Sequence, residues 1–335
     1  YLNAKDSGQD GTSTPLVGAS SGLSASYEEN NVFPYGSPQV VALSDGRMMA
    51  FWIGDNGGSS SANRTQLMCA VRSTDGAWGN AQAVCADGKA DFLPCVCADG
   101  NKCYVVWRKA TETYPEDITV TGMASKLKLV MSIFDGTSFS DLKTVVDDGL
   151  YPQFPSLDAH SGNAVVSWVE NSDNEPYMAT GTNSLYICNV SNGTISSRET
   201  LSGNLGYVSS IAADASDSSV CLSRDNDGDP TTTGDSDIYR ISSSGETNLT
   251  ADAVDDSNLK NIGGVLYWSK GGELYSCSGG AVSDTGAICG NAGAYRVMAF
   301  NNTTTVLTKI SDGLKSELYT SSKTNDTWST PVALT

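Results

Sequence analysis

The sequence predicts an all-β chain, a single six-bladed β-propeller over residues 1–335 in which each blade is a four-stranded antiparallel sheet. Three observations lead to that class. A hairpin closing on an apolar strand recurs six times, a second hairpin follows each copy, and no segment carries an apolar stripe at helical spacing. Blades of such a ring bury their faces only against neighbouring blades, so the unit has to repeat. Composition agrees: apolar residues fill 39% of the chain and Gly supplies 34 positions, a balance suited to short strands joined by turns.

The first hairpins come in order. "SPQVVALSDGRMMAFWI" (37–53), "LPCVCADGNKCYVVWRK" (93–109) and "FPSLDAHSGNAVVSWVE" (154–170) share a Pro, an alternating strand, a Gly-containing turn and a strand ending in Trp. Trp52, Trp107 and Trp168 therefore hold equivalent positions, which we assign to packing between blades. "VSSIAADASDSSVCLSRD" (208–225) puts Ser223 at that position, "LKNIGGVLYWSKG" (259–271) restores it as Trp268, and "RVMAFNNTTTVLTKIS" (296–311) keeps only the hairpin. The second hairpins turn on Asp-Gly, Asn-Gly or Ser-Gly between alternating strands, as in "LMCAVRSTDGAWGNAQAV", "LVMSIFDGTSFSDLKTV" and "LYICNVSNGTISSRETL". These units place the blades at about 37–84, 85–145, 146–201, 202–250, 251–289 and 290–335. "YLNAKDSGQDGTSTPLV" (1–17) is like the last hairpin, and residues 1–36 are expected to pack outside the ring. The alternative is a seventh, partial blade.

The turn "STDGAW" (73–78) resembles a shortened Asp box, the Ser-x-Asp-x-Gly-x-x-Trp turn of sialidase-like propellers, here those of bacterial repeat proteins. It recurs as "FDGTSF", "SNGTIS" and "TNDTW" without the full motif. The resemblance implies a scaffold and carries over no catalytic residue. Enzymes of that family hold the substrate carboxylate with clustered arginines and use a Tyr–Glu pair. Arg64, Arg108 and Arg224 stand at no family spacing, and the Arg-Ile-Pro opening is absent.

Alternating strand direction sorts the loops onto two rims. One rim carries short turns. The other carries "GDNGGSSSANR" (54–64), "ATETYPEDITVTGMAS" (110–125), "NSDNEPYMATG" (171–181) and "NDGDPTTTGDS" (226–236). Long loops on a rigid scaffold are where binding residues gather. Aromatics of the blade connections and charges just past the Trp position meet on this rim. The expected ligand contacts are Tyr35, Phe92, Arg108, Tyr151, Phe154, Glu170, Tyr207, Arg224 and Tyr295. Flat rings beside hydrogen-bonding charges suit a glycan or an exposed protein loop. A glycoside hydrolase in the same depression and a structural spacer are the alternatives.

"RDNDGDPTTTGDSD" (224–237) resembles the Asp-x-Asp-Gly-Asp calcium loops of integrin-type propellers, although Pro230 stands where Gly is expected. An acidic solvated turn is the first reading of this stretch and no cofactor is expected; Asp225, Asp227, Asp229 and Asp235 are the candidate ligands should it hold calcium. A formal charge of −18 argues against nucleic acid. No apolar run approaches the ~20 residues of a membrane-spanning helix, so no membrane insertion is expected. The Ser/Thr/Gly/Asp-rich surface, the low lysine content and a start without Met place the chain outside the cell or on its surface. Nine cysteines leave at least one unpaired; most read as small buried apolar residues, with Cys277 and Cys289 as the candidate disulfide. The sole histidine, His160, is expected at the surface in a turn.

Overall fold

The computed structural model describes residues 31–33, 38–57, 60–176, 178, 180–229, 231–288, 295–300, 303–312, 315–324 and 327–333. They form six antiparallel sheets in a ring. Blade I is β1 (Gln39–Ala42), β2 (Met48–Asp55), β3 (Thr65–Arg72) and β4 (Gln82–Ala83). Blade II is β5 (Asp91–Asp99), β6 (Lys102–Ala110), β7 (Leu127–Phe134) and β8 (Lys143–Val146). Blade III is β9 (Gln153–His160), β10 (Asn163–Asn171), β11 (Asn183–Ser191) and an outer strand split into β12 (Thr194–Ile195) and β13 (Glu199–Ser202). Blade IV is β14 (Val208–Asp214), β15 (Ser219–Asp225), β16 (Ser236–Ser242) and β17 (Gly245–Asn248). Blade V is β18 (Asp256–Ile262), β19 (Val265–Lys270), β20 (Glu273–Ser278) and β21 (Ala281–Ile288). Blade VI is β22 (Tyr295–Phe300), β23 (Thr303–Asp312), β24 (Lys315–Thr324) and the split outer strand β25 (Thr327–Trp328) and β26 (Val332–Ala333). Residues 1–30 and Tyr35 lie outside the described set.

The first strands line the middle: β1 packs on β5, β5 on β9, β9 on β14, β14 on β18 and β18 on β22. The tight turns follow from their residues. Asn192 and Gly193 both sit at positive φ (49° and 72°), the pairing a two-residue hairpin needs and one that Asn-Gly adopts cheaply.

Blades II, III and V are glued to their predecessors through the Trp of the second strand. Trp107 packs among Met49, Phe51, Leu67 and Cys69 of blade I, and Trp168 among Val106, Leu129 and Met131 of blade II. Trp268 packs on Ala212, Cys221 and Ile238 of blade IV. All three indoles are fully buried. Each contributes about 3 kcal/mol or more of apolar burial at a seam.

Every first strand from blade II to blade V carries a register break near its start. Leu93, Phe154 and Asn258 take φ of 45°, 47° and 58° at the same place in blades II, III and V. Such bulges turn the strand end toward the long-loop rim, and they are strained for Leu and Phe.

Cys69, Cys103, Cys188 and Cys221 are buried free thiols, the small apolar role expected of most of the cysteines, and Cys277 is buried too. Cys289, the proposed partner of Cys277, lies outside the described residues. His160 is exposed in its turn.

Candidate functional site

The blade seams on the long-loop side share one polar module. In blade II, Asp91 opens the first strand and its Oδ1 accepts from Trp107 Nε1 (2.8 Å) and Lys109 Nζ (2.9 Å). Its Oδ2 accepts from the Leu67 backbone N–H of blade I (3.0 Å). Lys109 is also 2.8 Å from Asp87. Burial pushes the Asp91 carboxyl up, and Lys109, the Leu67 N–H and Trp107 pull it back.

Blade V repeats these residues as Asp252, Asp256, Trp268 and Lys270, with the two acids again four apart and the Trp and Lys again two apart. Trp268 Nε1 again donates to Asp256 Oδ1 (2.7 Å). Lys270, however, pairs with Asp252 and stands 4.0 Å from Asp256. Asp256 Oδ2 is buried without a hydrogen-bond partner. The Thr250 hydroxyl accepts from Ile238 N–H at 2.9 Å but makes no bond of ordinary geometry to that oxygen. Burial therefore dominates, and the Asp256 carboxyl is lifted from 3.8 to about 6 against the weaker pull of Thr250, Lys270 and Trp268.

Blade III moves the acid. Pro152 precedes its first strand, and Glu170, two residues past Trp168, is the carboxylate. Its Oε1 accepts from Trp168 Nε1 (2.6 Å) and its Oε2 pairs with Arg198 (3.0 Å). Burial raises the Glu170 pKa, with Trp168 and Arg198 opposing. Arg198 also bonds Asp148 and lies over the Tyr186 ring, 4.6 Å from its centroid.

Blade IV breaks the pattern. Ser223 replaces the Trp, Tyr207 stands before the first strand, and Asp225 occupies the position of Lys109 and Lys270. Hydroxyls fill the indole's polar role: Ser209 Oγ donates to Ser223 Oγ (2.9 Å), which donates to the Asp256 carbonyl (2.6 Å).

The other long loops are tied down. Asn63 and Tyr114 exchange two 2.8 Å bonds between the loops of blades I and II. Asn174 Oδ1 accepts from Tyr151 N–H (2.7 Å), and Gln153 Nε2 donates to Glu175 O (3.1 Å), folding the blade III loop onto the preceding connection. In blade IV the loop is hooked to the next blade connection at its far end, where Asp255 Oδ1 accepts from the N–H groups of Gly234, Asp235 and Ser236 (2.8, 3.1 and 3.2 Å). A depression of about 610 Å³ opens between blades IV and V, lined by Tyr207, Asp225, Asp255, Asp256, the β19–β20 turn at Gly271–Gly272 and six Ser and Thr hydroxyls. Among the described residues no Arg, Lys or His lines it.

The expected contact residues do not converge on one spot. Tyr207 and Asp225 line the depression. Phe92, Arg108 and Tyr151 gather at the blade II–III junction, where the Arg108 guanidinium bonds the Tyr151 hydroxyl and lies 4.7 Å from its ring centroid. Arg108 is almost fully buried, pairs with no carboxylate among the described residues, and its Nε has no hydrogen-bond partner. Burial alone pushes its pKa down to about 10. Phe154 packs into the core cluster of blades III and IV. Glu170 is held by Trp168 and Arg198. Arg224 makes a two-pronged pair with Glu246 (2.8 and 3.0 Å) over the Tyr239 ring. Tyr295 is buried, its hydroxyl donating to the Asn258 and Tyr267 carbonyls.

Of the four acids proposed for calcium, Asp225, Asp227 and Asp235 come together, each offering a carboxylate oxygen within 4.8 Å of the others. Asp229 instead caps its own turn, accepting from Thr231 N–H (3.0 Å). Burial raises the Asp225 pKa, and Asp235 and Asp227 add to it against the Gly228 N–H. Sequence reading missed Asp255 and Asp256. The signal lay in the paired spellings "ADGKAD…WRK" (86–91, 107–109) and "ADAVDD…WSK" (251–256, 268–270), which blade IV replaces with "SRD" (223–225).

No family profile and no curated protein sequence matches the chain. Solved structures do. A puromycin-hydrolysing peptidase of Mycobacterium tuberculosis superposes with a TM-score of 0.53 at 13% identity, covering 89% of this chain and 45% of that one. The Trypanosoma rangeli sialidase gives 0.46 at 13% identity over 87% of this chain and 53% of that one. An acylaminoacyl peptidase of Pyrococcus horikoshii gives 0.47 at 15% identity over 90% and 52%. The chain thus spans about half the length of these structures, and the likeness is one of propeller fold.

Proposed function

We propose that the chain is a binding module, extracellular or on the cell surface, that recognises a glycan or an exposed protein loop on its long-loop face. The seat is the depression between blades IV and V. One observation supports this above the others: a hollow of about 610 Å³ lined by hydroxyls, carboxylates and the ring of Tyr207, on the rim where the other loops are tied shut. Hydroxyl-bearing ligands exchange hydrogen bonds with such a lining, and a ring edge gives their apolar faces a surface. Three carboxylates without a base disfavour an anionic sugar, which separates this reading from sialic acid chemistry. A calcium ion held by Asp225, Asp227 and Asp235 belongs to the proposal. Ligands on opposite sides of one calcium lie about 5 Å apart, which their 4.8 Å spread allows. A glycan array tests the reading: binding weakened by Tyr207→Ala supports it, and an array without any binder contradicts it.

A hydrolase is the second reading, favoured by the Asp256 carboxyl, which keeps its proton up to a pH of about 6 as a general acid must. Turnover of fluorogenic glycosides that disappears in Asp256→Asn would establish it.

A further inference from the structure

The buried acids at the blade IV–V seam are less closely neutralised than those of the neighbouring seams, Lys270 standing 4.0 Å from Asp256. In blade II an ammonium, Lys109 Nζ, sits 2.9 Å from Asp91 and 2.8 Å from Asp87. In blade III a guanidinium, Arg198, sits 3.0 Å from Glu170. In blade V the equivalent ammonium is drawn off to Asp252, leaving Asp256 fully buried with Oδ2 unpartnered in the wall of the depression. Facing it across the seam, blade IV offers another acid, Asp225, where blades II and V carry Lys. Among the described residues no ion pair involves Asp225, Asp227, Asp235 or Asp255. Carboxylates crowded around one hollow with low-dielectric walls concentrate negative potential there.

We propose that the depression selects a glycan carrying free primary amino groups, a glucosamine-type oligosaccharide, whose ammonium donates to Asp256 Oδ2, the oxygen whose counterpart in Asp91 accepts from the Leu67 N–H. This rests on the glycan-binding reading above and names its ligand class. A dication on the Asp225 loop would leave Asp255 without an ion pair among the described residues and Asp256 with only Lys270, 4.0 Å away. An oligosaccharide is favoured over a lysine side chain because the hollow is wide and hydroxyl-rich. Ser209, Thr232, Thr233, Ser236, Ser257 and Ser269 offer partners for ring hydroxyls that an alkyl stem would leave unused.

The test is titration calorimetry of the whole chain at pH 6.5, where Asp256 is mostly ionised and the weakly basic sugar amines still carry protons, with three β-1,4-linked tetrasaccharides, of glucosamine, N-acetylglucosamine and glucose. Glucosamine tetramer is expected to bind about tenfold more tightly than the other two, the equivalent of one modest ion pair. That margin should shrink in Asp256→Asn and, on the unaltered protein, as salt rises from 50 to 500 mM in order-of-magnitude steps. Equal affinity for all three overturns the amine preference while leaving glycan binding in place. Binding that needs calcium and ignores the amine does the same. Binding of a lysine tetrapeptide but of no sugar overturns both the amino-glycan and the glycan reading. Failure of every sugar to bind removes the proposed function itself.

Discussion

Replacing Asp256 with asparagine separates two seams that the repeat makes equivalent. The carboxyl is fully buried, and its pKa is lifted from 3.8 to about 6. For an acid raised on folding, the native state binds the extra proton, so stability falls as pH climbs from about 3.8 to about 6. Above that window the full cost of the anion is about 3 kcal/mol, at about 1.4 kcal/mol per pH unit. At pH 4 only about 0.5 kcal/mol of it has been incurred, because the unfolded carboxyl is then little more than half ionised. Asparagine keeps an acceptor for Trp268 Nε1 and carries no charge. The wild type should therefore lose about 2.5 kcal/mol relative to Asp256→Asn between pH 4 and pH 7.5. Urea unfolding at the two pH values measures this directly. Asp91→Asn is the contrast, since it takes one of two carboxylates from the buried Lys109 ammonium, leaving Asp87, and should destabilise by about 1–3 kcal/mol at pH 7.5. A wild-type-to-Asp256→Asn gap that does not move with pH would refute the reasoning.

Other outcomes follow from the same geometry. Arg198→Ala removes the cation beside the buried Glu170 and should cost about 1–3 kcal/mol, more at pH 8 than at pH 5 because the stranded carboxyl then protonates with difficulty; chemical unfolding at both pH values checks it. Gly234→Ala puts a Cβ 2.8 Å from the Ala253 carbonyl at φ +84°, so it should lower stability by about 1–3 kcal/mol and weaken ligand binding by loosening the blade IV loop. Arg108→Met, at a blade II–III position away from the depression, should leave glycan affinity within about twofold, measured by calorimetry. Cys69, Cys188 and Cys221, their thiols pushed up to about 11, 11 and 12 by burial, should resist a thiol reagent at pH 8 until urea is added.

The propeller was legible because its signals are local. Alternation, tight-turn residues and a Trp at a fixed place sit within one hairpin, and the long loops at 54–64, 110–125, 171–181 and 226–236 announce their rim by length alone. Partner choice was not legible, because it is settled through space. Asn63 meets Tyr114 at a separation of 51 residues, and Arg198 meets Glu170 at 28. Arg224 reads as a free rim charge in "LSRD", yet Glu246 on the outer strand holds it by both nitrogens. Asp256 reads as one acid among 38 acidic residues until the blades are superposed and its cation is seen to be engaged elsewhere.

Hydrogen–deuterium exchange with and without glucosamine tetramer tests the central claim most directly. Protection is expected at 207–209, 225–236, 254–257 and 269–272, the segments around the depression. Protection confined to the blade II–III junction around Arg108 and Tyr151, or to the short-turn rim, would contradict it.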